Sequence, residues 1–178
     1  MRRSVLSFVL YFGAGITLSS ILIQIDAVDQ GVVVPFTGLI ARAGGAVLNL
    51  MGMGTQVTGT VISGERGFSV NILNGCNGVY VMAILISAVL AFPSTWKEKL
   101  VGLAIGIPGI QIVNLIRIVS LYYLGLRRPA LFEEFHLYVW QAGVIILSMA
   151  IWLFWAEVLV SGPDRPPGGP SHKAAGSQ

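Results

Sequence analysis

Charge is scarce in this sequence. Only 11 % of its 178 residues are Asp, Glu, Lys or Arg, while 54 % are hydrophobic; soluble globular domains carry about 25 % charged residues. With a mean hydropathy of +0.78, that balance excludes an ordinary soluble domain and makes a membrane protein the first reading. Cysteine is scarcer still: Cys76 stands alone. A single thiol excludes an intramolecular disulfide, a multi-cysteine metal site and a membrane dithiol oxidoreductase, and it leaves the redox compartment unread. The net charge of +3 comes from scattered Lys and Arg that form no basic stripe, so no nucleic-acid partner is expected.

What is present is a set of long uncharged runs. Residues 4–25 carry no charge over 22 positions, enough to cross a hydrocarbon core of about 30 Å. Arg2 and Arg3 precede this run as in a signal peptide, but no small-x-small cleavage site follows, which gives an uncleaved anchor. Further runs at 76–92 (stopped by Pro93), 100–123 (with Pro108 inside it) and 137–160 complete the pattern. The expected fold is an all-α polytopic membrane protein with about four transmembrane helices. It forms one membrane domain over 1–161, followed by a Pro/Gly-rich, disordered cytoplasmic tail at 162–178.

Orientation follows from the basic residues near the ends of the spans. Arg2, Arg3, Lys97, Lys99, Arg165 and Lys173 fall on one side, against Arg42, Arg66, Arg127 and Arg128 on the other. The bias places both termini in the cytoplasm and segment 26–75 outside. That segment is too long to be structureless by default. Its first part, "PFTGLIARAGGAVLNLMGMG", suits an extracytoplasmic interfacial helix, with a re-entrant segment as the rival. Its second, "TQVTGTVISGERGFSVNIL", alternates β-branched residues around residues 63–67 and predicts a short β-hairpin.

Polar groups inside the apolar runs point to a site, because ionisable residues are costly in a bilayer. Gln111, Asn114 and Arg117 recur at steps of three, on adjacent faces of one helix. Arg117 lies 18 residues beyond Lys99, about 27 Å along a helix and so near the outer surface. Cys76 opens the second run on that side, and His136 stands where the last run begins on the same side. Three segments thus bring Cys, Arg and His to one leaflet. A thiolate is the reactive form of cysteine and is favoured beside Arg or His+. An imidazole can accept the thiol proton and return it to a leaving amine, while Arg stabilises an oxyanion.

Plainer readings compete. A lone cysteine is more often a small core hydrophobe, Arg117 alone could snorkel to the interface, and a lone interfacial His is more often solvated. Asn114, one turn before Arg117, needs a partner inside the bundle, which turns that face inward. Glu133, one turn before His136, either orients it or pairs with Glu134 as a solvated helix start. "LNGC" looks like a lipoprotein box, but the apolar run follows the cysteine where a lipoprotein would have it before.

"NGCNG" around Cys76, "NLIRI" around Arg117 about forty residues later, and then His136 resemble the Cys, Arg and His signatures of the exosortase/archaeosortase family. The resemblance covers roughly residues 35–160, and the short chain is of the size of a compact bacterial exosortase such as exosortase H. It implies a multi-pass inner (plasma) membrane cysteine transpeptidase, without cofactor or metal, whose active site faces outside. Its partners would be secreted proteins ending in a short motif, a transmembrane helix and a basic cluster, met among membrane lipid. Cys76 would attack near the motif and form a thioester, Arg117 would stabilise the oxyanion or position the carbonyl, and His136 would act as base and acid. Asn114, Asn77 and Glu133 would bind substrate or support the site. One departure stands out: members commonly read Cys-Ser-Gly, whereas this chain has Asn77.

Two other classes stay open on the residues alone. One is a non-catalytic accessory subunit or small transporter using Arg117 and Asn114 for a partner or ligand; a transporter would show paired halves and midplane polar groups. The other is an enzyme that transfers acyl groups to or from lipid.

Overall fold

The computed structural model describes residues 2–160 other than Arg66. The tail at 162–178, with Arg165 and Lys173, and Arg66 lie outside the described residues. The chain is an all-α polytopic membrane protein carrying one small sheet. Helix α1 is Arg2–Ile23 and α2 is Asp26–Leu50. Strands β1 (Thr55–Thr58), β2 (Val61–Gly64) and β3 (Ser69–Asn71) follow, then α3 (Val79–Ala91), α4 (Trp96–Arg127) and α5 (Pro129–Val158), whose last turns run on to Val160. Among the described residues four helices, α1, α2, α4 and α5, are long and apolar enough to cross a membrane.

Three elements differ from expectation. The run expected to span at 76–92 forms the 13-residue α3, which is not among the four helices of crossing length, whereas α2 is. The interfacial helix expected from Pro35 onward belongs to a 25-residue helix that begins at Asp26. Proline removes an N–H and crowds the carbonyl four residues back; the π turn Asp29–Val33 directly before Pro35 widens the helix there and lets it continue. The expected hairpin is one half of a three-stranded antiparallel meander, β1-β2-β3. The chain passes from Gly64 of β2 to Ser69 of β3, and a second tight turn at Gly59-Thr60, with Gly59 at φ +61°, adds β1.

Helix α4 is the frame. Thr95 and Glu98 close a capping box at its start, and Lys99 Nζ donates to the Leu90 carbonyl 2.5 Å away, tying it to the end of α3. Gly102 and Gly106, four apart, let neighbours approach the backbone: an added Cβ would stand 2.6 Å from the Trp155 indole at the first and 2.5 Å from a Leu85 methyl at the second. Around them Leu85, Val89, Ile110, Trp155 and Ala156 form one core. Phe8 of α1 packs on Phe92 and Trp152, so the start of α1 and the end of α3 share one end of the bundle.

The sheet sits at the opposite end. Ala41 and Leu48 of α2, Ile62 and Ile72 of the sheet region, and Ile118 and Tyr122 of α4 make a second core, and Cys76 packs against it. Gly44 of α2 lies against Ile62, Ile118 and Leu115, so α2 meets α4 in its C-terminal half. Outward, the helices show bare apolar surface such as Leu10, Leu18, Ile112 and Ile146, as lipid-facing helices do.

Candidate active site

The turn before α3 carries the thiol. Cys76 N–H donates to the Leu73 carbonyl at 2.9 Å, and Gly75 and Gly78 take φ of +97° and +78°, a region that favours glycine. Cys76 therefore stands in a turn ahead of the helix, where the apolar run had suggested the helix's first or capping residue. Gly78 turns the chain, and the Asn77 side-chain oxygen accepts from Val79 N–H at 3.0 Å, capping the helix start.

Asn77 is fully buried. Its Nδ2 donates to Thr37 Oγ1 at 2.8 Å and to Asn74 Oδ1 at 3.2 Å, while Asn74 Nδ2 donates to Asp29 Oδ1 at 2.7 Å. Helix α2 thus holds the thiol-bearing turn from one side.

Helix α4 holds it from the other. Gln111 Nε2 donates to the Asn77 carbonyl at 3.4 Å. A Cβ on Gly78 would stand 2.8 Å from that same nitrogen and 3.5 Å from the Asn114 carboxamide. Arg117 Nη2 donates to Cys76 Sγ at 3.5 Å. The steps of three seen in the sequence thus aim three polar side chains at successive parts of one turn. Arg117 is 3 % and Asn114 1 % exposed. Among the described residues, the Arg117 Nε and both polar atoms of the Asn114 carboxamide are buried without a hydrogen-bond partner.

Helix α5 begins at Pro129, eight residues before the predicted span, since proline suits a first helical turn. Its π turn Phe135–Val139 carries His136, and His136 Nε2 lies 2.9 Å from Cys76 Sγ. The Phe132 ring stands 5.7 Å from the imidazole. Glu133 is exposed and makes no hydrogen bond to His136. Cys76, Arg117, His136 and Phe132 line a cleft of about 220 Å³ together with the segment 68–73.

Burial pushes the Cys76 thiol above its ordinary pKa, and the Arg117 charge pulls against that shift without cancelling it. Neighbouring positive charge was expected to favour the thiolate; desolvation outweighs it in the resting site. A higher pKa means less thiolate at neutral pH. Iodoacetamide labelling of Cys76 is therefore expected to accelerate with pH through a midpoint above the usual thiol range, and Arg117→Ala to move that midpoint further up. A midpoint unchanged by the substitution would separate Arg117 from the thiol.

The transmembrane exosortase (Exosortase_EpsH) family model matches residues 5–157. The chain belongs to the transmembrane exosortase family. The match spans every helix and all the polar groups just described. Membership makes the chain, in general terms, a membrane protein-sorting transpeptidase, of a family that acts on secreted proteins with a C-terminal sorting signal. No curated protein and no solved structure matches the chain.

Within this exosortase, sequence reasoning missed Thr37, Asn74 and Asp29, which hold Asn77. The two Asn-Gly pairs signalled a turn, but a hydrogen bond across 40 residues has no local signature. Where exosortases commonly have Ser, the Asn77 carboxamide here makes its bonds inside the protein. Asn77→Ala would leave the Thr37 hydroxyl and Val79 N–H without these partners, so a loss of about 1–3 kcal/mol is expected, read by thermal unfolding in detergent. Asn77→Ser keeps an acceptor for the helix start and should lose less. Equal stability of Asn77→Ala and the parent would remove the clamp.

Proposed function

We propose that this exosortase is a cysteine transpeptidase in which Cys76 is the nucleophile, His136 the general base and acid, and Arg117 the oxyanion donor. The observation that carries the reading is one sulfur, 2.9 Å from His136 Nε2 and 3.5 Å from Arg117 Nη2, at the wall of a cleft. The three residues come from separate parts of the chain.

In the resting site the thiol donates to neutral Nε2. As Sγ attacks the scissile carbonyl, its proton passes to His136, and the oxyanion accepts hydrogen bonds from Arg117, whose Nε has no other partner among the described residues. Collapse of the tetrahedral adduct breaks the C–N bond, and the imidazolium returns the proton to the leaving amine. A thioester then joins Cys76 to the secreted protein. His136 deprotonates the incoming acceptor nucleophile, which displaces the thiol and restores the site. Asn114, buried beneath the thiol turn beside Gly78, supports the turn from α4, and Asn77 supports it from within.

The chain is proposed to sit in the bacterial inner membrane with both termini cytoplasmic and the cleft outside. Supporting this, Lys97 and Lys99 lie at the bundle end shared with the start of α1, opposite the cleft. The test is maturation of a tagged secreted protein ending in motif, apolar helix and basic cluster, in cells carrying the parent chain or its Cys76, Arg117 or His136 alanine variants.

A further inference from the structure

The sheet ends in an open edge beside the thiol. The strand order is β1-β2-β3, so among the described residues β3 is paired on one side alone. The bonds Gly64 N–H to Phe68 carbonyl at 2.9 Å and Ile72 N–H to Thr60 carbonyl at 3.0 Å, with the register Ile62↔Val70, mark 68, 70 and 72 as the residues bonded to β2. By the alternation of an antiparallel ladder, Ser69 and Asn71 turn their N–H and C=O groups away from β2.

That free edge is a wall of the cleft. Six consecutive residues, 68–73, border it together with Cys76. Successive side chains of a strand point to opposite faces, so a single cleft touches all of them along the edge. The edge is also unguarded. Proteins usually protect exposed edges with charge or proline, and "SVNIL" has neither. The Asn71 side chain folds back to accept from Thr60 Oγ1 at 2.8 Å, leaving the main chain clear. The edge stops where the thiol turn begins, since the Leu73 carbonyl is taken by Cys76 N–H.

Resting on the transpeptidase reading, we propose that the short motif of the sorting signal binds as an added fourth strand along β3. Its backbone hydrogen-bonds to Ser69 and Asn71, which delivers the scissile carbonyl to Cys76 at the end of the ladder. Three strand residues span about 10 Å, a length that suits a short motif. Extended chain also exposes the peptide bond that a helical tail would hide in its own hydrogen bonds. Main-chain pairing provides affinity without sequence preference, and alternate side chains of the motif, facing Ile118, Leu121 and Phe132, provide selection.

The test uses the full-length chain in membranes with a tagged tailed substrate. Ser69→Pro deletes one outward N–H at a position where an edge strand tolerates proline. Processing is expected to fall about tenfold, the weight of one hydrogen bond, with Ser69→Ala near the parent rate and Cys76 labelling unchanged. A Ser69→Pro variant that labels normally and processes at the parent rate overturns strand addition while the transpeptidase reading stands. Should Ser69→Pro lose labelling, photocrosslinking from p-benzoylphenylalanine at position 69, in a Cys76→Ala background, decides. Crosslinks within the motif support the proposal; crosslinks to a second copy of the chain, to lipid or to nothing overturn it. No processing by the parent chain would instead sink the transpeptidase reading and this proposal with it.

Discussion

Cys76→Ala is expected to stop maturation of tailed secreted proteins, by roughly 10,000-fold or more, because no other group can form the acyl intermediate. The precursor should accumulate in the membrane with its tail intact. The fold should survive, since the substitution removes one sulfur from a half-buried turn that Asn77, Gly75 and Gly78 shape independently. Cys76→Ser is the sharper probe. It preserves size and the hydrogen bond to His136, but an alcohol is a far weaker nucleophile at neutral pH, so it too should fail. Western blotting of precursor and product over a time course reads both variants. Normal processing by Cys76→Ala would remove the nucleophile and leave the polar cluster with a binding role.

His136→Ala is expected to cost about 100- to 10,000-fold, the range of a lost general base and acid. The size follows from the thiol's surroundings. Burial keeps the Cys76 proton on at neutral pH, and Arg117 only partly offsets this, so attack depends on a base within reach. His136 at 2.9 Å is that base. Without it, attack must wait for spontaneous ionisation. Residual activity should therefore rise with pH through the raised thiol pKa, where the parent chain is already active at neutral pH. His136→Gln, which can hydrogen-bond but cannot carry the proton, should behave like alanine. A His136→Ala variant with the parent's rate and pH profile would assign the proton to another route.

Much of this site was legible because topology is a strong constraint. Once the runs are placed, chain direction alternates, and that alone carries Cys76, Arg117 and His136 to one end of the bundle. The ladder Gln111, Asn114, Arg117 could be read from helical period, and its meeting with one turn follows from it. Other features depended on tertiary pairing. Pro35 reads as the start of a helix, and the π turn that carries α2 past it leaves no local sequence mark. The Thr37–Asn77 and Asp29–Asn74 bonds join residues 40 and 45 apart. The alternation around 63–67 gives a single hairpin, because the Gly59-Thr60 turn that adds β1 is a weak local signal, and only the packed structure brings the open edge of β3 to the thiol. The direction of the thiol's pKa also needed the structure, since burial and the Arg117 charge oppose each other and only their geometry decides between them.

The most direct measurement is mass spectrometry of the peptide containing Cys76, isolated from membranes in which a tailed substrate is expressed and the acceptor nucleophile is limiting. The expected result is a thioester joining Cys76 to the new C-terminus of the secreted protein, released by hydroxylamine and lost in Cys76→Ala. Efficient processing with an unmodified Cys76, or with the acyl group on another residue, would contradict it.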